Sequence, residues 1–375
     1  MTDCGEGAGG SVPASKALVF MVNAINDHFK ITVGHFFVDS MTGQGKIKVK
    51  CIYLSIPFIF SLSFSIHLSL YPSNQLSKFI SIYVYLSMYI YLKFSFVSEL
   101  ASLVTTAIQE LNKTGVVVLN TTCDNPSSNW AMLEHLGARL DLKAMKLSLN
   151  IKNVLGIPIL ATPDVCHLMK LVRNCWGTVR VFKDGDGDFI KWSYVEELNN
   201  LQQNEGLTLA NKLRLSHIQW QKNKMCTRLA LQTLSNSVAD SIDFCREKLK
   251  LSQFDGSEAT TKFLRKFDML FDILNSKSKF GKRLSAPFCK DTAGNFKNVF
   301  QETENYILGL SLPNGKKIVH SQRSRGFVGL IVTMKSTVKL YEAYILPGHI
   351  DYLLTYKLSQ DHLGLIKFEF NFELQ

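Results

Sequence analysis

Four sets of polar side chains in this 375-residue sequence have types and spacings that could do chemistry. The run DGDGD sets carboxylates at Asp184, Asp186 and Asp188, which are the first, third and fifth positions of a calcium loop. Such a loop also needs glycine at its sixth position and glutamate at its twelfth; here those are Phe189 and Val195, so the run reads as a glycine-rich hairpin turn. Asp124 lies beyond a β-branched run and precedes Asn125-Pro126-Ser127-Ser128. An aspartate there is by default a helix cap or turn residue; the competing role is a metal-binding carboxylate at a strand's C-terminal end. Asp272 and Asn275 stand three apart on one face at the end of a long helix, either as a cap-like ending or as a pair reading the donor edge of a base. Asp361, in LLTYKLSQDHLGL, is on its own a solvated carboxylate of a helix.

Other chemistries are excluded. There is no G-x-x-x-x-G-K-[ST] run and no G-x-G-x-x-G, so a nucleotide site would need different groups. The cysteines (Cys4, Cys51, Cys123, Cys166, Cys175, Cys226, Cys245, Cys289) form neither a C-x-x-C pair nor a zinc-spaced cluster with histidine. A chain this long with so few cysteines is not a disulfide scaffold, and MTDCGEGAGG lacks the basic start and apolar core of a signal peptide. A reducing compartment, cytosol or nucleus, is expected.

Positioning these residues falls to two kinds of element. Residues 17–24 and 31–38 read as strands joined at Asn26-Asp27-His28. A helix over 99–113, the strand of VVVL, a helix from Ser127 to Leu136 ended by Gly137, a strand over 157–162 and a helix over 164–174 complete a mixed α/β layer. After the hairpin VRVFKDGDGDFIKW the pattern turns helical, over 193–204, 222–234, 236–250 and 257–275. Helices are again expected over 299–311 and 325–362, with a strand in KFEFNF near the end.

With 46% hydrophobic and 19% charged residues the chain is globular, and its length suits two domains. Its net charge of +11 is uneven: positions 40–98 hold no acidic residue and five lysines, Lys46, Lys48, Lys50, Lys78 and Lys93. Within that stretch 51–77 is uncharged, long enough to suggest a membrane span. Pro57 and Pro72 interrupt it, glycine and alanine are missing from 46–100, and SLSFSIHLSL alternates with the period of a strand. CIYLSI, SIYVYLS and MYIYLK repeat one vocabulary, so 46–98 is read as a compositionally biased insertion. A membrane tether through 51–92 is the competing use.

Several long strings resemble the P-element-type DNA transposases, the family of the THAP-domain-containing transposases: ALVFMVNAINDHFKITVGHFFVDSMTG, TGVVVLNTTCDNPSSNWAMLEHLGA, DVCHLMKLVRN, LFDILNSKSKFGK and YLLTYKLSQDHL. They stand in family order over 17–45 and 99–363, and 46–98 has no counterpart among them. The resemblance implies an α/β RNase H-like core interrupted by an all-α GTP-binding insertion domain. Core is expected over 1–163 and 299–375, insertion domain over 164–298.

Such cores hold two metal ions between three carboxylates to activate the attacking oxygen and stabilise the leaving one. By the resemblance Asp124 is the second carboxylate, the first belongs on a strand upstream of ALVFMV, and the third is a glutamate where this chain has Gly364. Asp39 reads as a turn residue, and Glu369 and Glu373 lie outside the family pattern. Phe271 would stack on guanine, Asp272 accept from its N1 and N2 protons, and Asn275 support it. Lys212 and Ser235 fall at phosphate or ribose positions, and Asp361 would hold the magnesium that accompanies GTP. Cys226 and Thr227 replace a Lys-Val pair, which weakens triphosphate binding. No zinc-finger pattern for DNA binding is present, and Lys262, Arg265, Lys266, Lys277, Lys279, Lys282 and Arg283 are either phosphate contacts or a solvated face. The expectation is a nuclear transposase fragment, with Mg²⁺, GTP, transposon-end DNA and a homo-oligomer in its ancestry and strand cleavage lost; the competing reading is a domesticated, non-catalytic GTP- or DNA-binding module.

Overall fold

The computed structural model describes residues 16–25, 30–38, 50–52, 83–89, 97–113, 115–124, 127–206, 208–209 and 211–359. Strands β1 (Lys16–Ala24) and β2 (Lys30–Val38) pair antiparallel, with an irregularity between Phe20 and Met21. β3 (Lys50–Ile52) lies antiparallel beside β2. On the other side of β1 come β4 (Tyr83–Tyr89), β5 (Val117–Cys123), β7 (Pro158–Pro163) and β6 (Ser148–Lys152). The order is β3-β2-β1-β4-β5-β7-β6, parallel only at β4/β5 and β5/β7.

β5 has parallel neighbours on both edges and is buried at all seven positions, as expected of a central strand. Its polar end is accommodated by hydrogen bonds: Thr162 Oγ1 donates to Asn120 Oδ1 (2.7 Å), and Asn120 Nδ2 to Thr122 Oγ1 (3.1 Å). The crossover from β4 to β5 is α1 (Val97–Lys113), whose buried Leu100, Ala101, Val104, Ile108 and Leu111 trace one helical face. α2 (Ser127–His135) packs on it.

α3 (Val165–Val179) leaves directly from β7 and meets α9 (Arg325–Leu340), which lies over β7 through Thr333 Oγ1 to Pro163 O (3.0 Å) and Ser336 Oγ to Ala161 O (2.7 Å). The helices approach closely at Gly329, where a Cβ would stand 2.1 Å from Leu168 Cδ2. Between them in sequence come the hairpin β8 (Val181–Lys183) and β9 (Phe189–Lys191), then α4 (Ser193–Glu205), α5 (Thr227–Thr233), α6 (Asn236–Glu247), α7 (Glu258–Leu274), β10 (Phe288–Cys289) and α8 (Lys290–Gly309). Aromatic rings join the two parts: Phe327 of α9 meets Phe182 and Phe267 at 5.9 and 6.0 Å, and Phe263 meets Trp176 at 5.1 Å.

Some sequence expectations change. α3 runs on to Val179, and α8 begins at Lys290, so the boundary at 298 falls inside a helix. Residues 325–362 are not one helix. After α9 come a π-turn (Tyr341–Ile345), β11 (Tyr352–Leu353) paired with β10, and a 3-10 turn (Thr355–Leu358). The unpredicted β6 is the sheet edge, and β3 and β4 both come from the stretch read as an insertion. KFEFNF lies outside the described residues, among which no helix is long and apolar enough to cross a membrane.

Candidate functional site

The C-terminal ends of β5 and β7 lie side by side, Cys123 opposite Pro163, so the residues that follow them, Asp124 and Asp164, are neighbours. Open α/β sheets place ligands at this end of their strands. Asp124 is 5% exposed and accepts from Asn129 Nδ2 at 2.5 Å. Its pKa is pushed up to about 7, first by burial and then by the charge of Asp164, against the pull of Asn129 and Lys170. Asp164 caps α3, accepting the N–H groups of Cys166 (3.3 Å) and His167 (3.0 Å). Its N–H donates to Cys123 O at 3.0 Å, which locks the two strand ends together. His167 is held at about 4 by burial and by Lys170, hence neutral.

On the other flank β4 carries no acidic residue from Tyr83 to Tyr89. No group of three histidine, cysteine, aspartate or glutamate side chains that could hold a metal occurs among the described residues. Those residues do not fit a two-metal centre. Asp39, Asp361, Gly364, Glu369 and Glu373 lie outside the described residues.

The expected base-reading residues share one end of α7. Phe271 is half-buried against the core, Asp272 is on the exposed face with its carboxyl partly enclosed, and that burial raises its pKa. Asn275 caps the helix, and its buried Oδ1 has no hydrogen-bond partner. One turn before Asp272 stands a carboxylate the sequence reading missed, Asp268, which accepts the backbone N–H of Asn236 at the start of α6. Its pKa is pushed up to about 6 by burial, then by Asp272. That bond brings Ser235, the N-cap of α6, alongside the same end of α7. Ser235 Oγ is already bonded to Gln232 O (2.9 Å) and shared with Ser237 Oγ (3.0 Å). Lys212 is exposed and follows Asn211, which is tied to Ser241 of α6 at 2.8 Å. No hydrogen bond or ion pair among the described residues joins Lys212 to Asp272 or Ser235.

The turn Thr355–Leu358 connects these two regions. Thr355 Oγ1 accepts the N–H of Ser276 (2.9 Å) and donates to Ile273 O (2.5 Å), and Tyr356 N–H donates to Ser276 O (3.2 Å). At its other end Thr122 Oγ1 donates to Leu358 O at 3.4 Å, two residues before Asp124. A short run of chain thus spans from the C-terminal end of α7 to the strand that presents Asp124.

Two sequence motifs resolve into structure. Asp184 Oδ1 accepts the N–H groups of Asp186 and Asp188, both at 3.0 Å, and Lys262 Nζ lies 3.1 Å from Asp186 and 3.7 Å from Asp184. DGDGD is therefore a hairpin turn closed by a lysine. Arg265 pairs with Asp240 and Asp243, and Lys266 with Glu302, so the cations of α7 are neutralised within the chain.

Two family descriptions match this sequence: TNP-like, RNase H N-terminal domain, over residues 1–71 and 84–137, and TNP-like, GTP-binding insertion domain, over residues 166–287. Human DNA transposase THAP9 is 31% identical over 269 residues, which are 71% of this chain and 29% of that protein. The solved Drosophila P element transposase strand transfer complex shares the fold, with a TM-score of 0.61 at 17% identity, covering 93% of this chain and 70% of that one. The sheet and its helices are thus an RNase H-like core, interrupted by a helical GTP-binding insertion domain. With both parts in family order, this chain belongs to the P-element-type, TNP-like DNA transposases.

Proposed function

We propose that this chain is a nuclear transposase segment that handles guanine nucleotide and DNA but does not cut DNA by itself. The observation that carries this reading is the isolation of Asp124. Its neighbour β4 offers no carboxylate, Asp164 is spent on capping α3, and residue 364 is glycine. One carboxylate cannot position two divalent cations for metal- and GTP-dependent phosphodiester transfer, the reaction ascribed to the ancestor. The test is nicking of end-labelled duplex DNA by the purified chain with Mg²⁺ or Mn²⁺. No product is expected, and a nick abolished by Asp124→Ala would overturn the reading.

For the nucleotide, Asp272 would accept the guanine N1 and N2 protons, Phe271 would stack, and the unpartnered Oδ1 of Asn275 would support the base. Lys212 and Ser235 would face the phosphate or ribose, and Asp361 the accompanying Mg²⁺. Affinity is expected to be low, because Asp268 already occupies the positive end of α6 and Cys226 stands in place of a lysine. Fluorescence of mant-GTP is expected to rise with the chain and to be lost in Asp272→Ala; equal signals would remove the assignment.

A further inference from the structure

After α7 the chain makes a loop, 276–286, whose tip is Phe280. Phe280 is 78% exposed; among the described residues the next large apolar side chain, Met225, is 59% exposed. The loop is closed by its own hydrogen bonds: Ser276 Oγ donates to Ser285 O (2.9 Å), Gly281 N–H to Ser278 O (3.0 Å) and Phe280 N–H to Ser278 Oγ (3.2 Å). A Cβ at Gly281 would stand 2.0 Å from Ser285 O, so only glycine lets the two limbs come this close. A firmly built loop therefore holds a phenylalanine out into water; one exposed apolar side chain is ordinary by itself, and what sets this one apart is the cluster of cations around it.

The charges around it point the same way. Lys277, Lys279, Lys282 and Arg283 are all exposed, and among the described residues no ion pair engages them, unlike the neutralised cations of α7. Lys279 Nζ lies 4.9 Å from the Phe280 ring centroid. Four free cations recognise a polyanion. An exposed aromatic face between them recognises a base, and in a duplex interior the base faces are already stacked.

We propose that this loop is a contact for an unpaired DNA strand, with one base stacked on Phe280 and the flanking phosphates on Lys277, Lys279, Lys282 and Arg283. The inference rests on the DNA part of the function proposed above; the site uses neither Asp124 nor Asp272, and its test contains no GTP and no cleavage, so its failure is distinguishable from failure of the nucleotide and cleavage tests. Fluorescence anisotropy of the full chain would use labelled 20-nucleotide oligo-dT, oligo-rU and a 20-base-pair duplex over a salt series. Phe280→Ala is expected to weaken oligo-dT binding about tenfold and duplex binding less than about twofold, while Phe280→Trp stays within about twofold of wild type. Lys279→Gln with Lys282→Gln is expected to weaken both DNAs and flatten the salt dependence. Because the ring packs against little, all variants should melt at the wild-type temperature. The proposal is overturned if Phe280→Ala binds oligo-dT like wild type, if it weakens both DNAs equally, or if only oligo-rU binds. It is also overturned if the variant loses binding to phosphatidylserine vesicles while keeping oligo-dT.

Discussion

Replacing Thr355 by valine tests whether the turn before Ser359 ties the C-terminal end of α7 to the core. Valine keeps the shape and removes the hydroxyl, so two groups lose their partner at once: the N–H of buried Ser276 and the carbonyl of Ile273. The latter is in the last turn of α7, where helix carbonyls have no intrahelical donor. Leaving a buried polar group unsatisfied costs about 1–3 kcal/mol, so the pair should cost about 2–6 kcal/mol. Thr355→Ser keeps both bonds and loses one buried methyl, worth about 1 kcal/mol. The expected order in urea denaturation is wild type, then serine, then valine, followed through the buried Trp176, Trp192 and Trp220. Hydrogen exchange supplies the local readout: the Ser276 amide should stay protected in the serine variant and exchange faster in the valine variant. A valine variant as stable as the serine one, with Ser276 still protected, would refute the reasoning.

Two further perturbations follow from buried carboxylates. Asp268 has a folded-state pKa of about 6, above its unfolded value, so the folded form holds a proton that the unfolded form has released, and stability falls as pH rises from about 4 to about 6. At about 1.4 kcal/mol per unit the full shift would be roughly 3 kcal/mol, and solvent screening of this partly exposed carboxyl reduces it to about 1–2 kcal/mol; Asp268→Asn should be the more stable protein at pH 7.5 and lose that advantage below about pH 4, as calorimetry across pH would register. Asp184→Ala strips the acceptor from two turn N–H groups and should lower stability by about 1–3 kcal/mol, while millimolar Ca²⁺ should leave the wild-type melting temperature unchanged.

What could be read from the sequence was local. The periodicity of α1 and the β-branched run of β5 were visible because each is set by its own residues and by burial on one known face. α3 runs past its expected end through Gly177, where the Trp220 ring closes in: a Cβ there would meet Trp220 Nε1 at 2.5 Å. β11 was unreadable because its partner β10 is distant in sequence, and a two-residue strand has no pattern of its own. The same division holds at the site. Asp124, Asp272 and Asn275 could be nominated from motifs, whereas Asp164 becomes a neighbour of Asp124 only through the pairing of β5 with β7. Asp268 did leave a signal, standing four residues before Asp272 on the same helix face.

The stretch without acidic residues poses the sharpest conflict between composition and topology. Its biased vocabulary describes how the sequence arose, whereas strand pairing describes what it does in the folded chain. β4 is not at an edge: it lies antiparallel to β1 and parallel to β5, with Leu86 opposite Thr121 and Ser87 opposite Thr122. The family match likewise resumes at residue 84. Deleting 46–98 would strip one whole edge from β5, and closing the gap would require the β1–β2 hairpin to move by one strand spacing, about 4.8 Å. Because an unpaired buried N–H or C=O is costly, the deletion should lower stability and speed exchange of those β5 amides that point toward β4. If the shortened chain instead melts at the wild-type temperature with β5 equally protected, the stretch is a passenger in the sheet and its composition was the better guide.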